Sequence, residues 1–388
     1  MDKNQTPSVA SPPAAGLAER IAAEIRASDG WIGFERYMAL ALYTPGLGYY
    51  ARGDRQFGAL PSSGSDFITA PQLSPLFGRA LARQVDQALD ASGTHEIWEF
   101  GAGSGALAAQ LLSALGARIR RYTIVDLSGT LRARQRQTVA EHVPQWADKL
   151  HFADQLPEAI EGVVVANELL DAMPVVLLHH DGTRWLERGV ALADDAAPPR
   201  FVWADRPTGL QPPDTSGAPT PRSFLPGTVT ELPRQASAFI TTLAGLLRRG
   251  AAFLLDYGFP EHEFYHPQRH GGTLMCHHLH QADPDPLDRP GEKDITAHVD
   301  FTAIALAGQD AGLEVLGYTS QARFLLNCGL ADDLQVASTQ QDFRTLAAAQ
   351  KLITEHEMGE LFKVIGFAAA ATPFTALGFA AGDRSHTL

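Results

Sequence analysis

Ten residues, EFGAGSGALA from Glu99 to Ala108, carry the densest chemical signal in the chain. The apolar-leaning run HEIW precedes them and an alanine- and leucine-rich stretch follows, so the pattern predicts strand, tight turn and helix. Such a unit points backbone N–H groups at a nucleotide. Gly101, Gly103 and Ala106 fit the G-x-G-x-x-G/A turn of NAD-type sites, while Glu99, Gly101, Gly103 and Gly105 fit the E-x-G-x-G-x-G turn of S-adenosylmethionine (SAM) sites. On this stretch alone both readings stand.

Five residues further along could complete such a site. Asp126 in YTIVDLS ends the next strand, where a carboxylate accepts hydrogen bonds from ribose hydroxyls in either reading; the alternative is that it caps the helix that follows. Asp154 and Gln155 in HFADQLP end the third strand, placed to meet an adenine amino group. Asn167 and Glu168 in VVVANELLDAMP end the fourth, where polar groups would lie beside a sulfonium. The Tyr/Lys or His/Arg machinery of a simple NAD enzyme is not apparent later in the chain, which favours SAM.

The candidate chemistry is transfer to a cationic nitrogen. Glu168 and Asp171 are three residues apart and share a face if the chain turns helical, so two carboxylates could orient a guanidinium or ammonium for in-line attack. Helix N-terminal acids favoured by the macrodipole are the plainer account. Asp294, Thr296, His298 and Asp300 gather in GEKDITAHVDF, with His298 the leading proton acceptor and Asp300 a further catalytic candidate. Here the plainer account makes Asp294 or Thr296 an N-cap. His262, His266, His270, His277, His278 and His280 invite a metal, but their spacing matches no ligand set, so no metal is expected.

The elements that must position these residues are read from periodicity. Leu17–Ser28 and about Gly33–Leu42 predict helices, the second ending at TPGLGYY. Thr69 is the expected N-cap of one long helix, PQLSPLFGRALARQVDQALDA. Strands are predicted at His95–Phe100, Tyr122–Val125, Leu150–Phe152, Gly162–Ala166 and Ala251–Leu255, with helices at Ser104–Leu115 and Ser128–His142. This alternation means an α/β fold with a parallel sheet wrapped by helices. Leu313–Tyr318 and Leu361–Phe367 could add an antiparallel end. RWLERGVAL and RFVWAD read as an inserted hairpin, and the rest of 196–226 as surface loop. Phe34, Tyr37 and Met38 at helical spacing read as core.

Composition narrows the function class. Of 388 residues 45% are hydrophobic, enough for a large core, and 44 acidic against 31 basic side chains leave a formal charge of −13. That balance argues against a nucleic-acid partner or an anionic membrane and suits a cationic substrate. Two cysteines make neither a disulfide framework nor a zinc site, which points to a reducing compartment, with the cytoplasm as the default. MDKNQTPSVASPPAAG has neither a secretory nor a transit pattern, and residues 1–16 are expected to be a disordered tail.

Taken together, YMALALYTPGLGYY, DFITAPQLSPLFG, WEFGAGSGALAAQLL, ANELLDAMPV, LERGV, LLDYG, KDITAHVDF, ARFLLNCG and MGELFKV resemble the MidA-like family, from about Gly33 to Phe367. The resemblance implies a class I SAM-methyltransferase (Rossmann-like) fold, SAM as cofactor and, in the mitochondrial members, symmetric dimethylation of an arginine in a respiratory complex I subunit. Carried over, Gly101, Gly103 and Gly105 become the cofactor turn, Asp126 the ribose acid, and Asn167 and Glu168 the pocket beside the methyl donor. The family commonly has Glu where this chain has Gln72 and Asp126, and Gly where it has Ser65. The expected organisation is a helical N-terminal cover at 17–92, a methyltransferase domain at 93–372 with insertions at 175–230 and 257–298, and a tail at 373–388. The expected activity is protein-arginine N-methylation of a partner polypeptide; a non-catalytic assembly chaperone with a SAM-binding fold, or an NAD oxidoreductase, are the alternatives.

Overall fold

Runs such as VVVA and AAFLL have no polar alternation, and a strand of that composition is stable only with both faces covered. The computed structural model, which describes residues 15–52, 69–126, 128–194, 197–213, 224–278 and 281–388, places these runs at the centre of a sheet. Its seven main strands are β1 (Glu96–Phe100), β2 (Arg121–Val125), β3 (Leu150–Ala153), β4 (Ile160–Asn167), β5 (Leu247–Phe259), β6 (Leu313–Ser320) and β7 (Phe362–Ala369), and the two-residue Val299–Asp300 pairs parallel with the end of β5 as an eighth. Their order is 3-2-1-4-5-7-6, with β1 to β5 parallel and β7 antiparallel to both β5 and β6. All seven predicted strands are present, with ends shifted by a few residues. An all-parallel dinucleotide sheet lacks the antiparallel insertion.

Side chains alternate across this sheet. Val163, Val165 and Phe253 enter a core with the Pro75–Ser92 and Ala106–Leu115 helices, while Val164, Leu254 and Ile365 enter a second core with the Arg234–Leu246 and Phe301–Asp310 helices. Both layers converge on the carboxyl ends of β1, β4 and β5, where ligands bind in open α/β sheets.

The N-terminal cover is not one unit. The Ala15–Ala27 and Phe34–Tyr43 helices share a third core with the insertion, in which Leu17, Ile21, Phe34, Tyr37 and Met38 pack with Val175, Leu177, Val190, Cys276 and Ile295. Around it Ile32–Gly33, Trp185–Leu192, Val176–His180 and Val229–Leu232 form an antiparallel sheet to which Phe201–Pro207 adds as the partner of Trp185–Leu192, the predicted hairpin. The Pro75–Ser92 helix belongs to the central sheet instead. Chain order therefore misleads at 17–92, because the first forty described residues complete a body whose other half comes from the insertions.

Three further expectations are corrected. Proline ends the predicted long helix: Pro75 lacks an N–H and holds Ser74 extended (φ −149°, ψ 136°), so Thr69 begins only the short Ala70–Leu73 helix and Ser74 caps Pro75–Ser92. Ala15 and Gly16, assigned to the tail, start the first helix; residues 1–14 lie outside the described residues. The segment 373–388 is packed, since Ala376 and Phe379 are buried, Gln84 and Gln87 accept hydrogen bonds from Gly378 and Leu377, and Asp383 accepts from the Tyr318 N–H. Phe201–Pro207 is the second strand of the expected hairpin, and of the expected loop at 196–226 Ala196 and 214–223 lie outside the described residues.

Candidate active site

The turn after β1 is left-handed at Gly101, Gly103 and Gly105, with φ of +69°, +48° and +81°. Space as well as conformation demands glycine here: a Cβ on Gly105 would lie 2.9 Å from the Cα of Gln135, and one on Gly101 would lie 3.0 Å from Leu169 Cδ1. Gln135, buried on the Gly129–His142 helix, donates its amide to the Gly103 carbonyl at 3.2 Å and to Asp126 Oδ2 at 2.8 Å, so the turn and the end of β2 are tied together. Asp126 Oδ1 also accepts from the Ser128 N–H at 2.8 Å, while Ser128 is the residue that caps the helix. Gly105 serves as the N-cap position of the Ala106–Leu115 helix.

Behind the turn, Glu99 is buried and accepts a hydrogen bond from the Tyr122 hydroxyl at 2.7 Å. Burial pushes its carboxyl up to about 8; the Tyr122 bond opposes this and the Asp126 charge adds to it. A buried acid with no cation paired to it among the described residues is suited to an incoming ammonium.

At the end of β4 the chain breaks sharply at Glu168, a non-glycine residue at φ +53°. Its Oε1 accepts from Asn167 Nδ2 at 2.9 Å and from the Ala70 N–H at 3.4 Å, and burial together with the nearby Asp171 charge pushes it up to about 8. Burial likewise raises Asp171, whose Oδ2 accepts from the Tyr257 hydroxyl at 2.6 Å. From the other body Tyr50 donates to Asp294 Oδ1 at 2.7 Å and Tyr43 donates to the Ala172 carbonyl at 2.7 Å, which leaves their rings stacked with centroids 5.7 Å apart. His298 lies face to face with Phe259 (5.3 Å) and against the edge of Tyr257 (5.0 Å). Burial lowers its imidazole to about 4, with Arg269 and Lys363 adding to the effect, and its Nδ1 has no hydrogen-bond partner among the described residues.

These groups enclose one cavity of about 1080 Å³ between the two bodies. Of the predicted residues, Glu99, Gly101, Gly103, Asp126, Asn167, Glu168, Asp171 and His298 line it. Asp154 and Gln155 do not: Asp154 is 84% exposed and pairs with Arg132, whose guanidinium also reaches the Asp126 and Ala153 carbonyls. Asp300 does not either; it is the buried N-cap of Phe301–Asp310, taking the Thr302 and Ala303 N–H groups, so the cap falls there and not on Asp294 or Thr296. Asp294 and Thr296, grouped with His298 in the sequence, line it too, whereas Tyr43, Tyr50 and Tyr257 line the cavity but were not among the expected site residues. The signal for Tyr43 and Tyr50 is their place on either side of the TPGLG turn.

Other expectations resolve as structure. Gln72 accepts from the Thr69 N–H at 3.3 Å in a capping box, a role an amide fills as well as a carboxylate, and Ser65 lies outside the described residues. Among the described residues no group of three or more His, Cys, Asp or Glu is arranged to hold a metal ion; His280 lies outside them.

A family model described as "Putative S-adenosyl-L-methionine-dependent methyltransferase" matches residues 76–319. A solved structure from Burkholderia thailandensis, described as a "likely methyl transferase" bound to S-adenosyl-homocysteine, is 51% identical with a TM-score of 0.91, covering 99% of this chain and 100% of that one. The chain belongs to the MidA-like family of SAM-dependent methyltransferases. Curated relatives named "Protein arginine methyltransferase NDUFAF7, mitochondrial" include one from Danio rerio, 26% identical over 89% of this chain and 85% of its own length, and one from Homo sapiens, 27% identical over 86% and 79%.

Membership settles the ambiguity of the glycine turn for SAM, and the oxidoreductase alternative falls. The residues present fit that cofactor. The glycine turn leaves room that a Cβ would fill, Glu99 and Asp126 offer carboxyls to an ammonium and to hydroxyls, and Asn167 Oδ1, buried and without a partner among the described residues, lines the same wall. No described helix is long and apolar enough to cross a membrane.

Proposed function

We propose that this MidA-like methyltransferase is a protein-arginine N-methyltransferase, with a respiratory complex I subunit as the leading substrate class. One observation carries the reading: Glu99, Asp126, Glu168, Asp171 and Asp294 all line the cavity, and no Lys or Arg does among the described residues. A delocalised guanidinium matches paired carboxylates, and the stacked Tyr43 and Tyr50 rings add a flat wall. The names of the NDUFAF7 relatives, protein arginine methyltransferases, support arginine as the accepting residue.

The cofactor, when bound, supplies an electrophilic methyl group on a sulfonium. Glu168 and Asp171 seat the guanidinium, with Tyr257 holding Asp171 through its hydroxyl. His298 takes the proton the guanidinium must lose, on the Nδ1 atom that no other described group engages. Burial lowers its imidazole to about 4, so it stands neutral through the neutral range and takes the proton as the nitrogen, bonding to the methyl carbon, becomes strongly acidic. Rate comes from alignment and from charge placed in a water-poor cavity, without a covalent enzyme intermediate.

The test is to incubate the protein with SAM and arginine-containing peptides beside the same peptides carrying lysine, and to compare methylarginine by mass spectrometry in cells with and without the gene. Methylarginine is expected in the arginine series only. SAM binding with an unchanged cellular methylarginine profile would sink the assignment.

A further inference from the structure

We infer that Asp256 is the positioning residue of the Glu168–Asp171 loop, its carboxylate gathering the loop's backbone N–H groups and thereby setting where the two substrate-facing carboxyls point. The inference rests on the reading that Glu168 and Asp171 seat the substrate. Asp256 stands in β5 beside β4 and is only 1% exposed. Its Oδ2 accepts from the N–H groups of Leu169, Leu170 and Asp171 at 3.1, 2.8 and 3.2 Å, and its Oδ1 accepts from the Tyr257 N–H at 2.9 Å. Three successive amides converging on one oxygen is how backbone cradles an anion, except that here the anion is built into the neighbouring strand.

The loop needs that anchor because it leaves β4 through the left-handed Glu168, a conformation that persists only where the surroundings over-determine it. Two more bonds use the same position. Tyr257, next to Asp256, donates to the Asp171 carboxylate, and the Asp171 carbonyl accepts from the Ala297 N–H at 2.9 Å, one residue before His298. Asp256 thus holds the backbone on which both the acid pair and the histidine segment depend. A neutral amide cannot replace it, since four N–H groups arrive on both oxygens and an amide would turn a donor toward one set.

Placing a third acid beside Glu168 and Asp171 is unfavourable for all three, and burial with those two charges holds Asp256 well above the usual carboxylate range. The other titratable groups around it are Tyr257 on its own strand, Asp294 across the cavity, and Lys363, its cross-strand partner on β7, whose ammonium turns away to the Glu360 carbonyl. The N–H groups of Leu170 and Asp171 work against that rise, so the loop amides and the acid side chain depend on each other.

The experiment uses the full chain as wild type, Asp256→Asn and Asp256→Ala. Amide hydrogen exchange should quicken by about tenfold or more at Leu169, Leu170 and Asp171 in both variants, with the thermal midpoint retained in Asp256→Asn. SAM affinity by calorimetry should stay within about threefold of wild type, while kcat on an arginine peptide falls by about tenfold or more. Unchanged exchange at the three amides overturns the inference, as does a loss of SAM affinity in step with activity. If the wild type methylates no arginine peptide, the arginine reading fails, and the exchange data still decide the role of Asp256.

Discussion

The two ends of the cavity are built in opposite ways. At the glycine turn a single stretch, Glu99 to Leu107, with Asp126 and the helix after it, presents backbone in a conformation that its own residues dictate. At the acid end, Tyr43 and Tyr50, Asn167 to Asp171, Tyr257, and Asp294 to His298 arrive from four separate segments and two bodies. The first end works by shape. The second works by charge whose state its surroundings alter, since burial and then the Asp171 and Asp294 charges raise the proton affinity of Glu168, while burial raises that of Asp171 and the Tyr257 hydroxyl opposes it. Adding atoms should break the first, and changing charge without changing shape should break the second.

The largest effect is expected from shape. Gly101→Val forces a β-branched residue to φ +69° with its Cβ 3.0 Å from Leu169, so SAM affinity should fall by about a hundredfold or more, and methyl transfer with it. Calorimetry with SAM reads this directly; binding within threefold of wild type would mean the turn does not hold the cofactor.

Charge gives the second effect. Glu168→Gln keeps the shape, so SAM affinity should change little, yet transfer should fall by about a hundredfold because a buried cation loses its partner. The pH dependence separates the ends further. In the free protein Glu168 holds its proton below about pH 8, so cation capture must first ionise it, and kcat/KM should rise with pH up to that point and level off above it. His298, neutral above about pH 4, contributes no limb in that range. In Glu168→Gln the rise should vanish. A limb that stays at the same pH in the variant would assign it to another group.

A milder change tests the reach of the second body. Tyr50→Phe removes the hydroxyl that holds Asp294 at 2.7 Å and leaves the ring stacked on Tyr43. The peptide KM should rise by about three- to tenfold, less than the about 1.5–3 kcal/mol typical of a hydrogen bond to a charged group, because Asp294 itself stays and acts on the substrate only through its position. SAM affinity should be unmoved, because Tyr50 stands at the acid end.

The same contrast explains what could be read in the chain. The strands, the glycine turn and the sheet's antiparallel end were legible because period, apolar runs and glycine spacing are local properties of consecutive residues. Glu168 and Asp171 were legible as a pair, though they meet across a left-handed break and not along a helix. What was not legible depends on distance in the chain: Tyr50 with Asp294, Tyr257 with Asp171, and Asp256 under the loop are separated by 244, 86 and 85 to 87 residues. Asp300 misled for the converse reason, since an acid before a helix satisfies the same local pattern whether it caps or catalyses.

Asp154 gives the smallest expected effect and the sharpest limit on local reading. Its position at the end of β3 suggested an adenine contact, but the side chain is largely in water and spends its charge on Arg132. That arginine is also held by the Asp126 and Ala153 carbonyls, and its guanidinium lies 5.8 Å from the Phe152 ring, so it has other anchors. Asp154 is screened by water and salt, and Arg132, only 14% exposed, keeps two backbone carbonyls when that partner is lost. Asp154→Ala should therefore lower SAM affinity by less than about threefold, and raising the salt concentration should shrink even that difference. A loss of tenfold or more by calorimetry would return Asp154 to the cofactor site and require Arg132 to swing aside when the cofactor binds.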